Sequence, residues 1–430
     1  MRVHRVIQGE TLRDIAKQYG VSVRDIVHVN ELSSQNVIVP GLGLLIPTRE
    51  GFAVQSYVIQ QGDTVAQIKQ KFGVSDEIFQ AWTGLKASQT SLPVGTRIYL
   101  PVRSASKRAI EVNGYLTPSG TTSDENILAN DSDATYVSVF SYQARANGTL
   151  VPPKDSTALV TAKRYQIQPL MTVTNFDGNT FSTSLAHTLL ANASLRTKFI
   201  SQILSTCTSK GYAGVNVDFE HMQPADRPLY NQFILDLRDA AHARKLTVSI
   251  AMGPKTADNP NQSWMGAFDY KTLGQEVDYL MLMTYEWGWV GGPPMAIAPV
   301  NQVRSVLDYA TSVIDPQKIL MGLSLYGYDW PLPYVQGKTR ASGISNNDAQ
   351  NLAVTEQSTV NWDVASASPW YEYTSGGIEH RVWYDDPLSA AIKLSLVNEY
   401  NLRGVTLWVL GNEFPQLWYL LQDQFTVKKL

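Results

Sequence analysis

The sequence predicts an α/β protein in which two small βααβ modules precede a (β/α)8 or TIM barrel. Two observations predict this fold. The N-terminal part of the chain contains an internal repeat, and from residue 108 onward short β-branched segments alternate with helical ones over about 320 residues. In addition, a long gap between the seventh and eighth of these segments predicts a small α+β insertion at about residues 328–385.

The repeat aligns residues 4–30 with residues 57–83 at a constant offset of 53. Each copy closes on a similar segment, VPGLGLLIP or LPVGTRIYLP, where the offset becomes 54. In each copy, helically spaced apolar residues follow an acidic–Thr pair, which predicts a capped first helix and the order strand, helix, helix, strand. We expect the first module to span residues 1–48 and the second to span residues 55–102.

The repeated unit resembles the LysM module. The residues that carry this resemblance are Gly9, Thr11, Asn30, Gly62 and Thr64. The resemblance implies that both modules bind glycans containing N-acetylglucosamine, such as peptidoglycan or chitin, and that these five residues form the binding sites. Thr83 stands in the second copy where Asn30 stands in the first, which predicts weaker binding by the second module. The alternative is a pair of modules that only pack or act as spacers.

The remainder of the chain, residues 108–430, is expected to form the barrel. Its predicted strands are residues 110–116, 136–142, 168–176, 214–220, 246–252, 277–286, 319–327 and 404–412. Eight strands that alternate with helices are typical of a closed parallel barrel. Active sites of such barrels lie at the C-terminal ends of the strands, and the fourth predicted strand ends on Glu220.

The fourth strand is apolar on one face and carries Asn216, Asp218 and Glu220 on the other. Because residues i, i+2 and i+4 share a face, we expect these three side chains to form a column that rises to the barrel mouth. Two carboxyls this close in a low-dielectric interior do not both ionise easily. We therefore predict that Glu220 keeps a raised pKa and acts as a general acid above Asp218. A buried polar column without chemistry is the alternative.

The fourth strand resembles the signature of glycoside hydrolase family 18, D-G-x-D-x-D-x-E. The chain departs from it at two positions, with Ala213 and Asn216 in place of the first two Asp residues. Three further segments resemble family motifs of later strands: MTYE (283–286), GLSLYGYDW (322–330) and GVTLWVLG (404–411). The resemblance extends over about residues 108–430.

This resemblance implies a retaining mechanism in which the 2-acetamido oxygen of the substrate attacks the anomeric carbon. Glu220 would protonate the leaving oxygen and then activate water as a base. Asp218 and Tyr285 would hold the acetamide, and Trp408 would form an apolar floor under the sugar. Asn216 would support Asp218 through hydrogen bonds, although it cannot ionise.

Further substrate-binding residues are predicted near the mouth, because aromatic faces stack on sugars. The predicted set is Met283, Glu286, Trp287, Tyr326 and Trp408. Packing of these aromatic residues within the core or the insertion is the alternative.

Composition excludes several classes of function. A net charge of −3 without a long basic run gives no reason to expect nucleic acid as a partner, and no apolar run is long enough for a membrane span. The single cysteine, Cys207, is interpreted as a buried core residue of a helix. We expect no metal site and no cofactor, and a monomer that binds a peptidoglycan or other N-acetylglucosamine glycan.

The combination of two LysM-like modules with a family-18 barrel resembles the spore cortex-lytic N-acetylglucosaminidases of bacilli. This implies action on fragments of spore cortex peptidoglycan during germination. The N-terminus lacks the apolar core of a secretory signal, so we expect location in the cortex or coat region of a bacterial spore. Two alternatives stay open: a chitinase that hydrolyses chitooligosaccharides, and a non-catalytic glycan-binding protein of the spore coat.

Overall fold

A computed structural model describes residues 1–86, 88–89, 92–104 and 106–430. The strands are Arg2–Arg5 (β1), Gly43–Ile46 (β2), Phe52–Val58 (β3), Arg97–Arg103 (β4), Arg108–Leu116 (β5), Tyr136–Ala144 (β6), Leu150–Val151 (β7), Gln168–Thr174 (β8), Gly214–Asp218 (β9), Thr247–Met252 (β10), Tyr279–Leu282 (β11), Ile319–Ser324 (β12), Tyr326–Pro331 (β13), Ser342–Ser345 (β14), Asn361–Asp363 (β15), Ser368–Ser375 (β16), Ile378–Trp383 (β17), Gly404–Trp408 (β18) and Phe425–Val427 (β19).

The α-helices are Leu12–Tyr19 (α1), Val23–Asn30 (α2), Val65–Phe72 (α3), Asp76–Thr83 (α4), Thr122–Asn130 (α5), Ser156–Arg164 (α6), Thr183–Ala191 (α7), Ala193–Lys210 (α8), Arg227–His242 (α9), Tyr270–Glu276 (α10), Val300–Val313 (α11), Asn346–Thr355 (α12), Pro387–Glu399 (α13) and Pro415–Gln424 (α14). Short 3-10 helices span Pro224–Asp226, Met265–Ala267 and Pro316–Lys318. Within the described part of the chain, no helix has the length and apolar character needed to cross a membrane.

Each N-terminal module has the predicted βααβ order. Strands β1 and β2 pair antiparallel in the first module, and β3 and β4 do so in the second. Thr11 and Thr64 are the N-caps of α1 and α3, and each takes part in a capping box that satisfies backbone groups at the helix start. Both helices end at a glycine with positive φ, Gly20 at 66° and Gly73 at 65°. Ala87, Thr90 and Ser91 of the second module, and Ala105 of the following segment, lie outside the described residues.

Eight parallel strands close into the predicted TIM barrel. Their order around the ring is β5-β18-β12-β11-β10-β9-β8-β6, and β6 pairs with β5 to complete the closure. The apolar face of β9 packs outward, with Val215 and Val217 fully buried in the core that the barrel shares with its helices. A second cluster, which includes Tyr115, Tyr279 and Leu320, fills the barrel interior.

The predicted insertion between the seventh and eighth barrel strands is also present. It contains α12 and an antiparallel five-stranded sheet in the order β14-β13-β17-β16-β15. Tyr326, which we assigned to the seventh barrel strand, instead begins β13 of this sheet. The chain leaves the barrel at Leu325, so the insertion lies directly beside the mouth.

The first module is docked on this insertion. Its apolar residues form one buried cluster with residues of the insertion, including Ala349 and Val360. The backbone oxygen of Asn30 accepts hydrogen bonds from the side-chain amides of Gln350 at 2.9 Å and Gln416 at 3.3 Å. The guanidinium of Arg5 lies 5.1 Å from the centre of the Trp362 ring.

Cys207 is fully buried on α8, as predicted. Burial raises the pKa of its thiol to about 12, which keeps the thiol protonated at neutral pH.

Candidate active site

The fourth barrel strand, β9, is shorter than its sequence pattern predicts. It ends at Asp218 rather than at Glu220, and the last backbone pair of the β8–β9 ladder joins Thr174 to Asp218. The reason is that the chain after β8 turns away from β9, where Phe176 pairs antiparallel with Phe181. Glu220 therefore lies beyond the sheet, in the segment that rims the barrel mouth.

The polar face of β9 points into the barrel. Asn216 is fully buried, donates a hydrogen bond of 2.7 Å to the hydroxyl of Tyr115 and accepts one of 3.2 Å from Ser249. Asp218 is 3% exposed, and among the described residues its Oδ1 atom has no hydrogen-bond partner. A buried carboxyl oxygen without a partner is costly unless a ligand or water satisfies it.

The electrostatics of the two carboxyls differ from those of surface acids. Burial, followed by the nearby charges of Asp218 and Glu286, holds the pKa of Glu220 well above its usual range. Burial likewise raises the pKa of Asp218. Glu220 is therefore able to carry a proton near neutral pH, which is what a general acid requires.

Most of the predicted catalytic and substrate-binding residues meet in one cavity of about 650 Å³ at the mouth. Its lining includes Asp218, Glu220, Met283, Tyr285, Glu286, Tyr326 and Trp408. Asn216 lies two residues before Asp218 on the same face of β9 and is not part of this lining. Trp287 also lies outside it, half-buried beside Glu286 in an adjacent pocket. A larger cleft of about 880 Å³, between the second module and α11, contains none of the predicted catalytic residues.

Tyr285 and Glu286 follow a strand that is also shorter than predicted. β11 ends at Leu282, and a φ of 69° at Glu286 turns the chain at the mouth. The Glu286 carboxylate accepts hydrogen bonds from the hydroxyls of Tyr326 and Tyr328, the latter at 2.9 Å. Burial raises the pKa of Glu286, and the hydrogen bonds from Tyr326 and Tyr328 oppose this rise. Two residues of the insertion therefore affect the pKa of an acid in the cavity.

Aromatic side chains cover much of the cavity wall. Phe181, His221 and Trp264 form a row on one side, with ring centroids 6.5 Å apart between Phe181 and His221 and 5.1 Å apart between His221 and Trp264. Trp289 also lines the cavity and is 48% exposed. Aromatic faces beside a few carboxyls are well suited to a neutral sugar.

Sequence reasoning missed several residues of the site. Tyr115, Phe140, Phe181, His221 and Trp264 line the cavity, and Asn175 contacts the Glu220 backbone. A signal was available for most of them, because five lie in or just after the C-terminal ends of predicted barrel strands. Trp264 follows its strand only after a loop of more than ten residues, and nothing in the sequence pattern connects it to the mouth.

The five residues predicted for the LysM sites have specific structural positions. Gly9 and Gly62 have φ of 81° and 91°, a conformation that favours glycine, and Thr11 and Thr64 cap helices. Asn30 is fully buried. Its amide donates to the backbone oxygens of Ile26 and Leu45 and accepts from the Leu45 N–H, all within 2.7 to 2.8 Å.

The fold and this site define a carbohydrate-active enzyme, and comparison with known proteins identifies its family. The model for glycosyl hydrolases family 18 matches residues 111–413, and that for the LysM domain matches residues 4–47 and 57–101. The chain belongs to family 18 of the glycosyl hydrolases. It is a glycoside hydrolase that carries LysM domains, as its sequence motifs predicted.

Its relatives include spore proteins of bacilli. The chain is 37% identical over 434 residues to the cortical fragment-lytic enzyme of Bacillus subtilis (strain 168), covering 100% of this chain and 99% of that protein. Two solved structures of the spore cortex-lytic enzyme SleL are similar over 100% of this chain. The one from Bacillus megaterium QM B1551 has a TM-score of 0.83, 32% identity and 99% coverage of that chain. The one from Bacillus cereus has 0.84, 34% and 98%.

Proposed function

We propose that this protein is a retaining N-acetylglucosaminidase that cleaves fragments of spore cortex peptidoglycan during germination. The observation that carries the proposal is the pair Asp218 and Glu220 at the mouth of an aromatic-lined cavity, with a Glu220 pKa held well above its usual range. A neutral sugar fits this cavity, and a protonated Glu220 suits the departure of a glycosidic oxygen.

In the proposed mechanism the carbonyl oxygen of the substrate 2-acetamido group attacks the anomeric carbon while Glu220 protonates the leaving oxygen. The product of this step is an oxazolinium ion. Glu220, now a carboxylate, takes a proton from water, and the water opens the ring with net retention. The Oδ1 of Asp218, which has no hydrogen-bond partner among the described residues, supports its role as the acceptor for the acetamide N–H. Tyr285 lies in the same cavity to hydrogen-bond the acetamide.

The remaining predicted residues take supporting roles in this proposal. Trp408 forms the floor under the reacting sugar, where it packs edge-on against Tyr115 and Phe140. Met283, Glu286 and Tyr326 complete the wall of the sugar site. We assign no direct contact with this sugar to Trp287, because it lies outside the lining of the cavity.

The choice of substrate is supported by the full-length similarity to enzymes named for cortex and cortical fragments. We propose three working units, residues 1–48 and 55–102 for glycan binding and residues 108–430 for hydrolysis, in a monomer located in the cortex or coat region of the spore. Gly9, Thr11, Gly62 and Thr64 belong to the loop-to-helix turns proposed to contact the glycan.

The test of this function is product analysis. Cortex fragments and chitooligosaccharides are incubated separately with the full chain, and new reducing ends are identified by mass spectrometry after borohydride reduction. We expect N-acetylglucosamine at the reducing ends of the cortex products, and proton NMR of the unreduced products during the reaction should show the β-anomer first. Faster turnover of chitooligosaccharides would favour a chitinase instead. Binding to both glycans without any cleavage would favour the non-catalytic alternative.

The substrate-assisted step has its own test. Substrates whose N-acetyl group carries one, two or three fluorine atoms have a progressively less nucleophilic carbonyl oxygen. We expect kcat to fall steeply along this series, because the acetamide forms the bond to carbon in the rate-determining step. A flat series would contradict acetamide participation while leaving hydrolysis itself intact.

A further inference from the structure

The backbone at Glu220 lies beyond the last hydrogen-bonded pair of the parallel sheet. Backbone pairing between β8 and β9 ends at Thr174 and Asp218, and Glu220 lies two residues further on. The partner strand cannot extend the ladder, because its chain folds back between Phe176 and Phe181. Some other group must hold the backbone of Glu220 if its carboxyl is to keep one position.

The side chain of Asn175 is that group. Its Oδ1 accepts a hydrogen bond of 2.9 Å from the Glu220 N–H, and its Nδ2 donates one of 2.8 Å to the Glu220 backbone oxygen. The amide thus pairs with both backbone groups of one residue, as a neighbouring strand would do. In the described part of the chain, no backbone group forms a hydrogen bond with the N–H or C=O of Glu220.

Asn175 is itself firmly held. It is fully buried, its second Nδ2 hydrogen is donated to the backbone oxygen of Ser182 at 3.1 Å, and its own backbone oxygen accepts from the Ser182 N–H at 2.9 Å. These bonds join the start of α7 to the end of β8 and orient the amide toward Glu220. The arrangement uses both donors of the Asn175 amide, so an isosteric carboxylate cannot replace it.

From this geometry we infer that Asn175 is a positioning residue that fixes the backbone of the general acid Glu220. The inference rests on the proposed function of Glu220. Asn175 touches no reacting atom, and it acts only through the location of the acid. Because a small displacement of a catalytic group from its reacting position is costly, loss of this clamp should lower kcat far more than it changes substrate binding.

The test compares Asn175→Ala and Asn175→Asp with Asn113→Ala in the full-length protein. Asn113 is a matched control because it is also fully buried in the barrel, and its side-chain hydrogen bonds within the described part of the chain go to Thr406 at 2.9 Å and Ser138 at 2.8 Å rather than to the Glu220 segment. For Asn175→Ala we expect kcat on soluble cortex fragments to fall about 10²-fold, with KM changed by less than about threefold. Asn175→Asp should lose at least as much, since its carboxylate faces the backbone oxygens of Glu220 and Ser182. Asn113→Ala should keep kcat within about twofold of the parent value, because its bonds lie away from the acid.

The pH profile separates positioning from simple destabilisation. If the Glu220 segment loosens, its carboxyl gains water and its pKa falls, so the alkaline limb of kcat should move to lower pH in Asn175→Ala. Destabilisation alone would leave this limb in place in the folded fraction. The inference is overturned if Asn175→Ala is folded with the parent kcat, or if its lower kcat comes with an unshifted limb.

A measurement independent of activity covers the case in which the parent enzyme cleaves no cortex fragment. The Glu220 amide should exchange with deuterium about tenfold faster in Asn175→Ala than in the parent, because its hydrogen-bond acceptor is gone. Asn113→Ala should leave this rate unchanged. Equal exchange rates in Asn175→Ala and the parent would contradict the inference that Asn175 fixes the Glu220 backbone, even if the parent had no hydrolytic activity.

Discussion

The barrel mouth and the first LysM module both contain polar residues that sequence motifs single out. These residues differ in whether their side-chain hydrogen-bonding atoms are already paired within the protein. At the mouth, the Oδ1 atom of Asp218 is buried and has no partner in the described part of the chain. In the first module, the Asn30 amide donates to and accepts from the backbone of its own module, and its Oδ1 also accepts a long hydrogen bond of 3.5 Å from Gln416. A motif residue available to a ligand is thus distinguished by unused hydrogen-bonding capacity.

The second module supports the same interpretation. Thr83 stands where the first module has Asn30, and its hydroxyl donates to the Phe79 backbone oxygen at 2.7 Å and accepts from the Leu85 N–H at 3.1 Å. Both residues therefore tie the end of the second helix to the backbone of their own module. Thr83 thus keeps a structural role like that of Asn30, and weaker glycan binding by the second module stays a prediction.

The largest effect that the comparison predicts is at Glu220. Glu220→Gln keeps the shape of the side chain but cannot transfer a proton, so we expect kcat on cortex fragments to fall about 10³-fold or more. Steady-state kinetics measure this, with a thermal melt of the same sample showing that the fold is intact. Glu286→Gln is the matched control, since Glu286 is another acid of the same cavity and accepts hydrogen bonds from two tyrosines. Equal losses of kcat in both variants would contradict the assignment of Glu220 as the general acid.

A smaller loss is expected at Asp218. Asp218→Asn retains the size of the side chain but cannot offset the positive charge of the oxazolinium ion, so we expect kcat to fall about 10²-fold. Its unpartnered oxygen also predicts that the parent enzyme holds the acetamide more tightly than the variant does. Isothermal titration with N-acetylglucosamine oligomers measures this difference. Unchanged kcat and affinity would show that Asp218 is only a buried polar residue.

Much of the fold follows from periodicity in the sequence. Alternating β-branched segments place all eight barrel strands, and the acidic–Thr pairs locate the capped helices of both modules. The pattern fails at the mouth, where the fourth and sixth predicted strands run on past Asp218 and Leu282. Apolar–polar alternation continues there because the side chains still face inward or outward, although the backbone has already left the ladder.

The part of the site that could not be predicted depends on contacts between segments distant in the chain. Asn175 holds a backbone 45 residues away, and Tyr326 and Tyr328 reach Glu286 from the insertion. No local pattern records such pairs. The two carboxyls Asp218 and Glu220 were predictable because they lie two residues apart in an alternating apolar–polar segment, which is a local pattern.

A third effect concerns stability and pH. The pKa of Glu220 is raised in the folded protein, so the folded state binds the proton more tightly than the unfolded state, whose Glu pKa is about 4.3. Stability from this proton is therefore fully present below about pH 4.3 and is lost as pH rises through the folded pKa. We expect Glu220→Gln to melt at a higher temperature than the parent at pH 8, with the difference vanishing at pH 4. A constant difference across this range would contradict a raised pKa.

The smallest effect is expected in the first module. Asn30→Ala removes three buried hydrogen bonds and takes away the side-chain partner of the Leu45 N–H and C=O, which should lower the stability of the module by about 1–3 kcal/mol. Hydrolysis of a soluble fragment should keep the parent kcat, because none of these groups lines the catalytic cavity. Thr83→Ala in the second module is the matched comparison. It should lower the stability of its module by a smaller amount, since it removes only two such bonds. The measurements are thermal melts, kcat and sedimentation with insoluble peptidoglycan. If Asn30→Ala melted at the parent temperature but no longer sedimented with insoluble peptidoglycan, Asn30 would contact the glycan directly. The proposed difference between Asn30 and Asp218 would then be wrong.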